Sequence, residues 1–396
     1  MLFRSLFFFF VALFALTFTT SEARAYPWMI RHEYTSCNAC HADPSGGSLL
    51  TEYGRAQGVT LLASKLSDKE DEDPGKIGGF LFGAVKMPES LLMGFDARGL
   101  LLHTRAGGAS DTRFVHMQAD LQAQVTIADR FRVNGSIGYI HQGAAAASIT
   151  KNADHRLVSR SHWLGVDVGE DKNWLIRAGR MNLPFGIRSI EHTMWVRRDT
   201  QTDINAAQQH GASVAYNSEK IRAEFMGILG NFQLSPDAYR ERGYSAYFEY
   251  VPAEKLAVGV SSLLTHAGQA ISSPANPVWR HAHGIFGRYS PTKMLVLSAE
   301  ADFLLTSVLT EKKRLGMAGM LSADIEPWQG LHFLATFETK NTAFGTDGQS
   351  LGLWGGAQWF VLPHLDLRVD AVYRNESVAT TRNTSFALLT QLHAYL

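Results

Sequence analysis

The sequence predicts an all-β fold, a transmembrane β-barrel of about sixteen antiparallel strands with a short N-terminal segment of different character ahead of it. Three observations carry this. Long stretches alternate apolar and polar residues with a period of two, short and long connections alternate between those stretches, and no apolar run after residue 25 approaches the eighteen residues of a membrane helix. In TRFVHMQADLQAQVTI (112–127), Val115, Met117, Ala119, Leu121, Ala123, Val125 and Ile127 occupy one parity, and His116, Gln118, Asp120, Gln122, Gln124 and Thr126 the other. That run is more than twice the usual globular strand of about 5–6 residues. Alternation recurs at 254–266, 294–305, 314–326, 330–340 and 365–374. One face of each is apolar and the other carries Glu, Asp, Arg, Gln or His, as a wall between lipid and water requires.

The connections follow from residue 94 onward. Short links fall at 127–130, 169–172, 217–220, 251–255, 290–293, 326–329 and 361–364. Long ones fall at roughly 106–111, 143–158, 181–209, 230–242, 267–280, 306–313, 341–348 and 375–383. Barrels of the outer membrane have short turns at the periplasmic end, longer loops outside and an even strand number. Trp174, Tyr250, Tyr289, Trp328 and Trp359 gather near the short links, where an aromatic girdle belongs. The last strand, TSFALLTQLHAYL, sets Phe386, Leu388, Leu392, Ala394 and Leu396 on one face and ends on leucine rather than the usual terminal aromatic.

Residues 1–25 have an early Arg4, the apolar core LFFFFVALFALTF and Ala23-Arg24-Ala25, the pattern of a secretory signal peptide cleaved after Ala25. The expected compartment is therefore outside the cytoplasm. With 37 basic and 37 acidic residues, nothing points to nucleic acid as a partner.

The two cysteines of the chain, Cys37 and Cys40, lie in YTSCNACHADPSGG with His41 directly after them. A thioredoxin-type disulfide needs a surrounding βαβ pattern, which the Gly/Pro/Ser-rich flanks do not offer. A zinc site needs four ligands, and no second pair of Cys or His follows at matching spacing. C-x-x-C-H is the attachment sequence for c-type haem. Cys37 and Cys40 then form thioethers to the two vinyl groups and His41 is the proximal axial ligand of the iron. One covalent haem c is the expected cofactor. The expected organisation is a signal peptide at 1–25, a haem segment at 26–66, an acidic linker at 67–77 (containing DKEDED) and the barrel at 78–396. Some forty residues are too few for a separate cytochrome core, so the barrel itself is expected to shelter the haem, as a plug in the lumen or at its periplasmic mouth. TEYGRAQGVTLLASKL (51–66) is expected to form one amphipathic helix.

A signal peptide, one CNACH and a barrel of about sixteen strands together resemble the fused cytochrome–porin proteins of bacterial outer membranes, whose best-known members are iron oxidases. The resemblance covers the whole chain in architecture, and Cys37, Cys40 and His41 are the residues that carry it. It implies electron transfer from an extracellular donor, ferrous iron in its most specific form, to a periplasmic c-type cytochrome. The resemblance does not fix the electron donor, and the sequence offers no motif specific for iron as that donor. GRMNLPFGIR (179–188) is similar to the LPFG stretch of some phosphate-selective porins. Two other readings stand beside this one: a solute-conducting porin with a structural haem, and a peroxidase-like haem enzyme.

Met87, in VKMPES, and His32 are the candidates for the second axial ligand, with Met29 and Met93 nearby. Of the 15 histidines, which include His116, His141, His281 and His283, several fall on the polar faces of strands, with His192 and His210 around the third long link. Asp120, Glu300 and Asp302 join them as the ordinary lining of a polar lumen. The segment 188–211 is too long for a plain connection and is expected to fold inward.

Overall fold

The alternating stretches fold as strands in the computed structural model, which describes residues 27–47, 49–64, 79–139, 156–189, 191–270, 276–308, 314–346, 348–378 and 381–396. The signal peptide, the acidic linker and His141 lie outside the described residues. The first strands are β1 (Leu91–Ala106), β2 (Ala109–Ile127), β3 (Phe131–Tyr139), β4 (Leu157–Val158), β5 (His162–Val168) and β6 (Trp174–Met181). Next come β7 (Gln209–Asn217), β8 (Ile221–Gly230), β9 (Arg242–Ala253), β10 (Leu256–Ala267), β11 (Val278–Tyr289) and β12 (Leu295–Val308). β13 (Arg314–Trp328), β14 (Leu331–Asn341), β15 (Ser350–Leu362), β16 (Leu365–Val378) and β17 (Thr381–Tyr395) complete the sheet.

Apart from β4 and β5, each strand pairs antiparallel with its sequence neighbours, and β1 closes on β17 in the register Asp96↔Tyr395 to Ala106↔Ser385. β4 and β5 both pair with β3 and make one interrupted stave, so among the described residues the closed wall has sixteen. Closure removes every unpaired strand edge, which a hydrocarbon surrounding demands.

The side-chain period separates lumen from exterior. On β8, Arg222, Glu224, Met226 and Ile228 are buried, whereas Phe225 and Leu229 stand exposed. The outward parity is apolar around the wall, a surface that only lipid covers well. Trp174, Tyr289, Trp328 and Trp359 are exposed at the short-turn end, in the expected girdle. The link assigned to 106–111 is shorter than its sequence suggests. Gly107 and Gly108, at φ 57° and 83°, make a two-residue hairpin, because glycine alone enters both left-handed positions at no steric cost. His281 and His283 are not among the lumen-facing histidines. They share a parity with exposed Trp279 and Ile285, whereas Arg280, Ala282, Phe286 and Arg288 face inward.

The segment between β6 and β7 folds into the lumen, as its length suggested. Leu183, Phe185, Ile187, Met194, Trp195 and Val196 are buried, and a helical turn spans Trp195–Arg198. Buried wall carboxylates hold it: Glu300 accepts from the Ile187 backbone N–H at 2.9 Å, and Glu338 from that of Trp195 at 2.9 Å. Arg197 pairs with Glu300. Gly186, at φ 55°, passes so close to Glu300 that a Cβ would lie 1.9 Å from Oε1. These contacts satisfy polar groups of both wall and segment that would otherwise be buried without partners.

Candidate functional site

Residues 27–64 pack against the lumenal side of the wall, beginning at the short-turn end. Arg31 is buried and donates to Glu326 Oε2 at 3.0 Å and to the Met294 carbonyl at 3.3 Å, and it pairs with Asp324. Trp28 packs against His332 in a tilted arrangement with centroids 4.3 Å apart. Gln329, in the β13–β14 turn, donates to the Ala63 carbonyl at 2.9 Å, and Ser64 N–H donates to that of Phe360 at 2.9 Å. Deeper in, Asp43 pairs with Arg177 at 2.9 Å and the Ser45 hydroxyl donates to Glu224 at 3.1 Å.

CNACH forms a single helical turn in which the His41 and Cys40 N–H groups donate to the Cys37 carbonyl, at 2.9 and 3.2 Å. It is braced by the chain doubling back. Thr51 N–H donates to Cys40 O at 2.9 Å, Ala42 N–H to Leu49 O at 2.9 Å, and the Thr51 hydroxyl to Ala39 O at 2.7 Å. Thr51 also caps the helix Glu52–Gln57 by accepting from Gly54 N–H at 3.0 Å. A π-helical turn, Gly58–Leu62, extends that helix, so the expected amphipathic element is present but ends four residues early. Gly46 lies against the first cysteine, where a Cβ would meet Cys37 Sγ at 3.2 Å.

Cys37, Cys40 and His41 line one cavity, together with Leu50, Leu62, Ile187, Ile204 and Phe286. The cavity and its open mouth together enclose about 1400 Å³ of space, open solvent included. Five arginines share its lining: Arg98, Arg160, Arg188, Arg222 and Arg288. Arg98 is bidentate on Asp96 with both bonds at 3.1 Å, and Arg222 and Arg288 share Glu249. Two thiols, an imidazole, apolar walls and cationic donors together fit a tetrapyrrole that carries carboxylates.

The second-ligand candidates separate here. Met29 is buried and lines the cavity. His32 and Met87 are not among its lining residues. His32 sits 3.5 Å from Glu326 near the short-turn rim, and Met87 lies on the mostly exposed stretch 79–90. His393, which sequence reasoning missed, is buried on the cavity wall between Asp366 at 2.9 Å and Asp96 at 3.3 Å. Its parity in the last strand marks it as lumenal, as does that of Arg98, Arg222 and Arg288 in theirs. Nothing in the sequence shows that they meet at one height. Among the described residues, no group of three or more His, Cys, Asp or Glu is arranged to hold a metal ion.

A second cavity opens towards the long-loop end, lined by Arg113, His116, Glu191, His192, Arg368 and Arg374, among others. Arg98, Gln118 and Arg160 line both cavities and form the partition between them.

His364, in the β15–β16 turn, seats the helical part of the N-terminal segment. It is 5% exposed, a Cβ on Gly58 would meet its Cε1 at 2.8 Å, and neither ring nitrogen has a hydrogen-bond partner. Burial first, and the Arg55 guanidinium second, push its pKa down to about 4. The undocked imidazole, at about 6.5, takes up its proton first. The seating is therefore at full strength above pH 6.5 and weakens as pH falls towards 4. The loss is about 3 kcal/mol from the shift to about 4. The protection factors of residues 52–62, which are exchange rates corrected for the intrinsic pH dependence of amide exchange, should fall across that window and should stay level in His364→Phe. Protection factors that stay level from pH 7 to 4 in the wild type would contradict this.

No family model matches the chain, and no curated protein matches it. Solved structures do. The outer-membrane OmpT of Vibrio cholerae superposes with a TM-score of 0.59 at 12% identity, covering 79% of this chain and 100% of that one. An anion-selective porin from Comamonas acidovorans gives 0.58 at 11% identity, covering 78% and 99%. The outer-membrane channel DcaP of Acinetobacter baumannii gives 0.52 at 12% identity, covering 76% and 96%. At such identities the likeness is one of fold, and the fold is that of the outer-membrane porins.

Proposed function

We propose that this protein is an outer-membrane electron-transfer protein in which a porin-type barrel holds one covalent haem c. Cys37 and Cys40 are its thioether anchors and His41 the proximal axial ligand. The observation that carries the reading is the meeting of these three residues in one cavity with lumenal arginines and apolar side chains. Bound there, the haem supplies one-electron chemistry, with a potential set by its ligands, its burial and nearby hydrogen bonds. The chain braces the attachment turn, excludes bulk water with residues 27–64 and the inward segment, and presents polar groups towards both ends of the barrel. The donor approaches from the outer cavity, with ferrous iron as the most specific candidate. The acceptor is a periplasmic c-type cytochrome met at the short-turn end, and outer-membrane lipid surrounds the wall.

A second reading is a solute-conducting porin with a structural haem, which the porin-fold neighbours favour. Purified protein in detergent separates the two. Electron transfer is supported if ferrous iron reduces a covalently bound haem and an added soluble cytochrome c reoxidises it. A haem indifferent to every donor, in a protein that conducts freely across a planar bilayer, overturns it in favour of the porin.

Gly54→Ala tests the attachment geometry. A Cβ there would lie 2.2 Å from the Cys40 carbonyl oxygen and 2.8 Å from its Cα, so helix and attachment turn must separate. Covalent haem per barrel should fall several-fold, read by haem absorbance against protein. An unchanged yield would show that the helix need not press on CNACH.

A further inference from the structure

We infer that Arg160 and Arg188 form a dicarboxylate-binding pair that takes the two propionate groups of the haem. This rests on the haem reading above. The other three cavity arginines are committed to carboxylates of the wall, Arg98 to Asp96, and Arg222 and Arg288 to Glu249. Arg160 and Arg188 keep N–H groups unspent. Arg160 is fixed by Asp120 at 2.8 Å and by the Asn205 carbonyl, and its Nη2 is buried with no hydrogen-bond partner. Arg188 makes one long bond to the Pro44 carbonyl at 3.4 Å and lies over the Tyr247 ring at 4.4 Å. Its Nε and Nη2 are buried and without hydrogen-bond partners, and the nearest carboxylate, Glu224, is 3.9 Å away. The two side chains are 8% and 9% exposed.

A guanidinium held in place by some of its donors, with others unspent at the wall of a cavity, offers the fork geometry that a carboxylate takes. Burying such donors with no acceptor is expensive, and a bound anion removes the cost. Haem carries two carboxylates, and two such arginines line this cavity. Arg160 also lines the outer cavity, so the wall that holds the carboxylates is the partition between the donor's side and the haem.

The holoprotein tests this by spectroelectrochemical titration. Taking a positive charge from beside the haem disfavours the added electron. At the wild-type midpoint, Arg188→Gln should therefore lower the ratio of reduced to oxidised haem about tenfold, which is about 59 mV for one electron. Arg160→Gln should act in the same direction. Arg188→Lys keeps the charge and should stay within about twofold of wild type by the same electrostatic argument. Arg113→Gln, exposed in the outer cavity, should change nothing. Gln variants that leave the midpoint in place, or an Arg113→Gln shift of equal size, overturn the assignment. Should the Gln variants fail to insert, carbodiimide and an amine are applied to the wild type. Haem carboxylates protected in the folded protein and modified after denaturation support the pair, and modification in the folded protein overturns it. A wild type without covalent haem shows first in its absorbance and overturns the haem reading itself, whereas an intact haem with unmoved potentials overturns this inference alone.

Discussion

Replacing Cys37 and Cys40 together by alanine is expected to remove covalently bound haem completely and to leave the barrel able to close and insert. Both proposed thioethers depend on these sulfurs, and the chain has no other cysteine to replace them. The sheet does not depend on them, since β1 closes on β17 by backbone pairing from Asp96 to Ala106. The N-terminal segment keeps its main anchors too, Arg31 on Glu326 and Asp43 on Arg177. Haem absorbance that survives denaturing electrophoresis measures the first outcome, and a heat-dependent shift in migration the second. Covalent haem persisting in the double variant would refute the assignment. Loss of the folded band would show that the segment builds the barrel as well as carrying the cofactor.

The second large effect is expected at Glu338, which is fully buried and ties the inward segment to the wall. Its carboxylate accepts from the Trp195 backbone N–H at 2.9 Å, from Trp354 Nε1 at 2.9 Å and from Arg374 Nε at 2.7 Å. Glu338→Ala leaves two buried N–H groups and the half-buried Arg374 guanidinium, which keeps only its bond to the Thr193 carbonyl, without their acceptor. Breaking one side of a buried pair costs about 3–5 kcal/mol. Because this cost falls where the helical turn Trp195–Arg198 enters the lumen, the segment should loosen and single-channel conductance in a planar bilayer should rise several-fold above wild type. Equal conductance and an unchanged melting temperature would remove Glu338 from that role. A wild type as conductive as an open porin would show that the segment does not obstruct the lumen.

Much of the architecture could be read from the chain because a barrel wall is a repetitive physical problem. Lipid outside and water inside impose a period of two, and β2 carries it plainly: Gln118, Asp120, Gln122 and Gln124 are buried, and Leu121 and Val125 are exposed. Where both parities are mixed, the same argument fails. In VWRHAHGIFGRY, each face has apolar and ionisable members, and only the pairing in the sheet shows that His281 and His283 point outward. The hairpin at Gly107-Gly108 misled for a related reason, because the polar residues that follow it belong to a strand extended beyond the usual length.

The CNACH triplet stood out in the sequence because the proposed attachment chemistry fixes its spacing. Its surroundings were not, because no local rule brings residues from distant strands to the same height. Arg98, Arg160, Arg188, Arg222, Arg288 and His393 are scattered across nearly three hundred positions and meet only through the closure and stagger of the sheet. By itself the sequence determined the fold class and the wall of alternating strands, since these follow from solvent on two faces, and it singled out Cys37, Cys40 and His41 as the proposed attachment residues by the spacing that such bond-forming chemistry requires. Only the tertiary structure decided which arginines face Cys37, Cys40 and His41, that Met29 rather than Met87 or His32 lines their cavity, and how far the inward segment fills the lumen. Strand register and barrel stagger set those distances, and they are properties of the closed sheet as a whole.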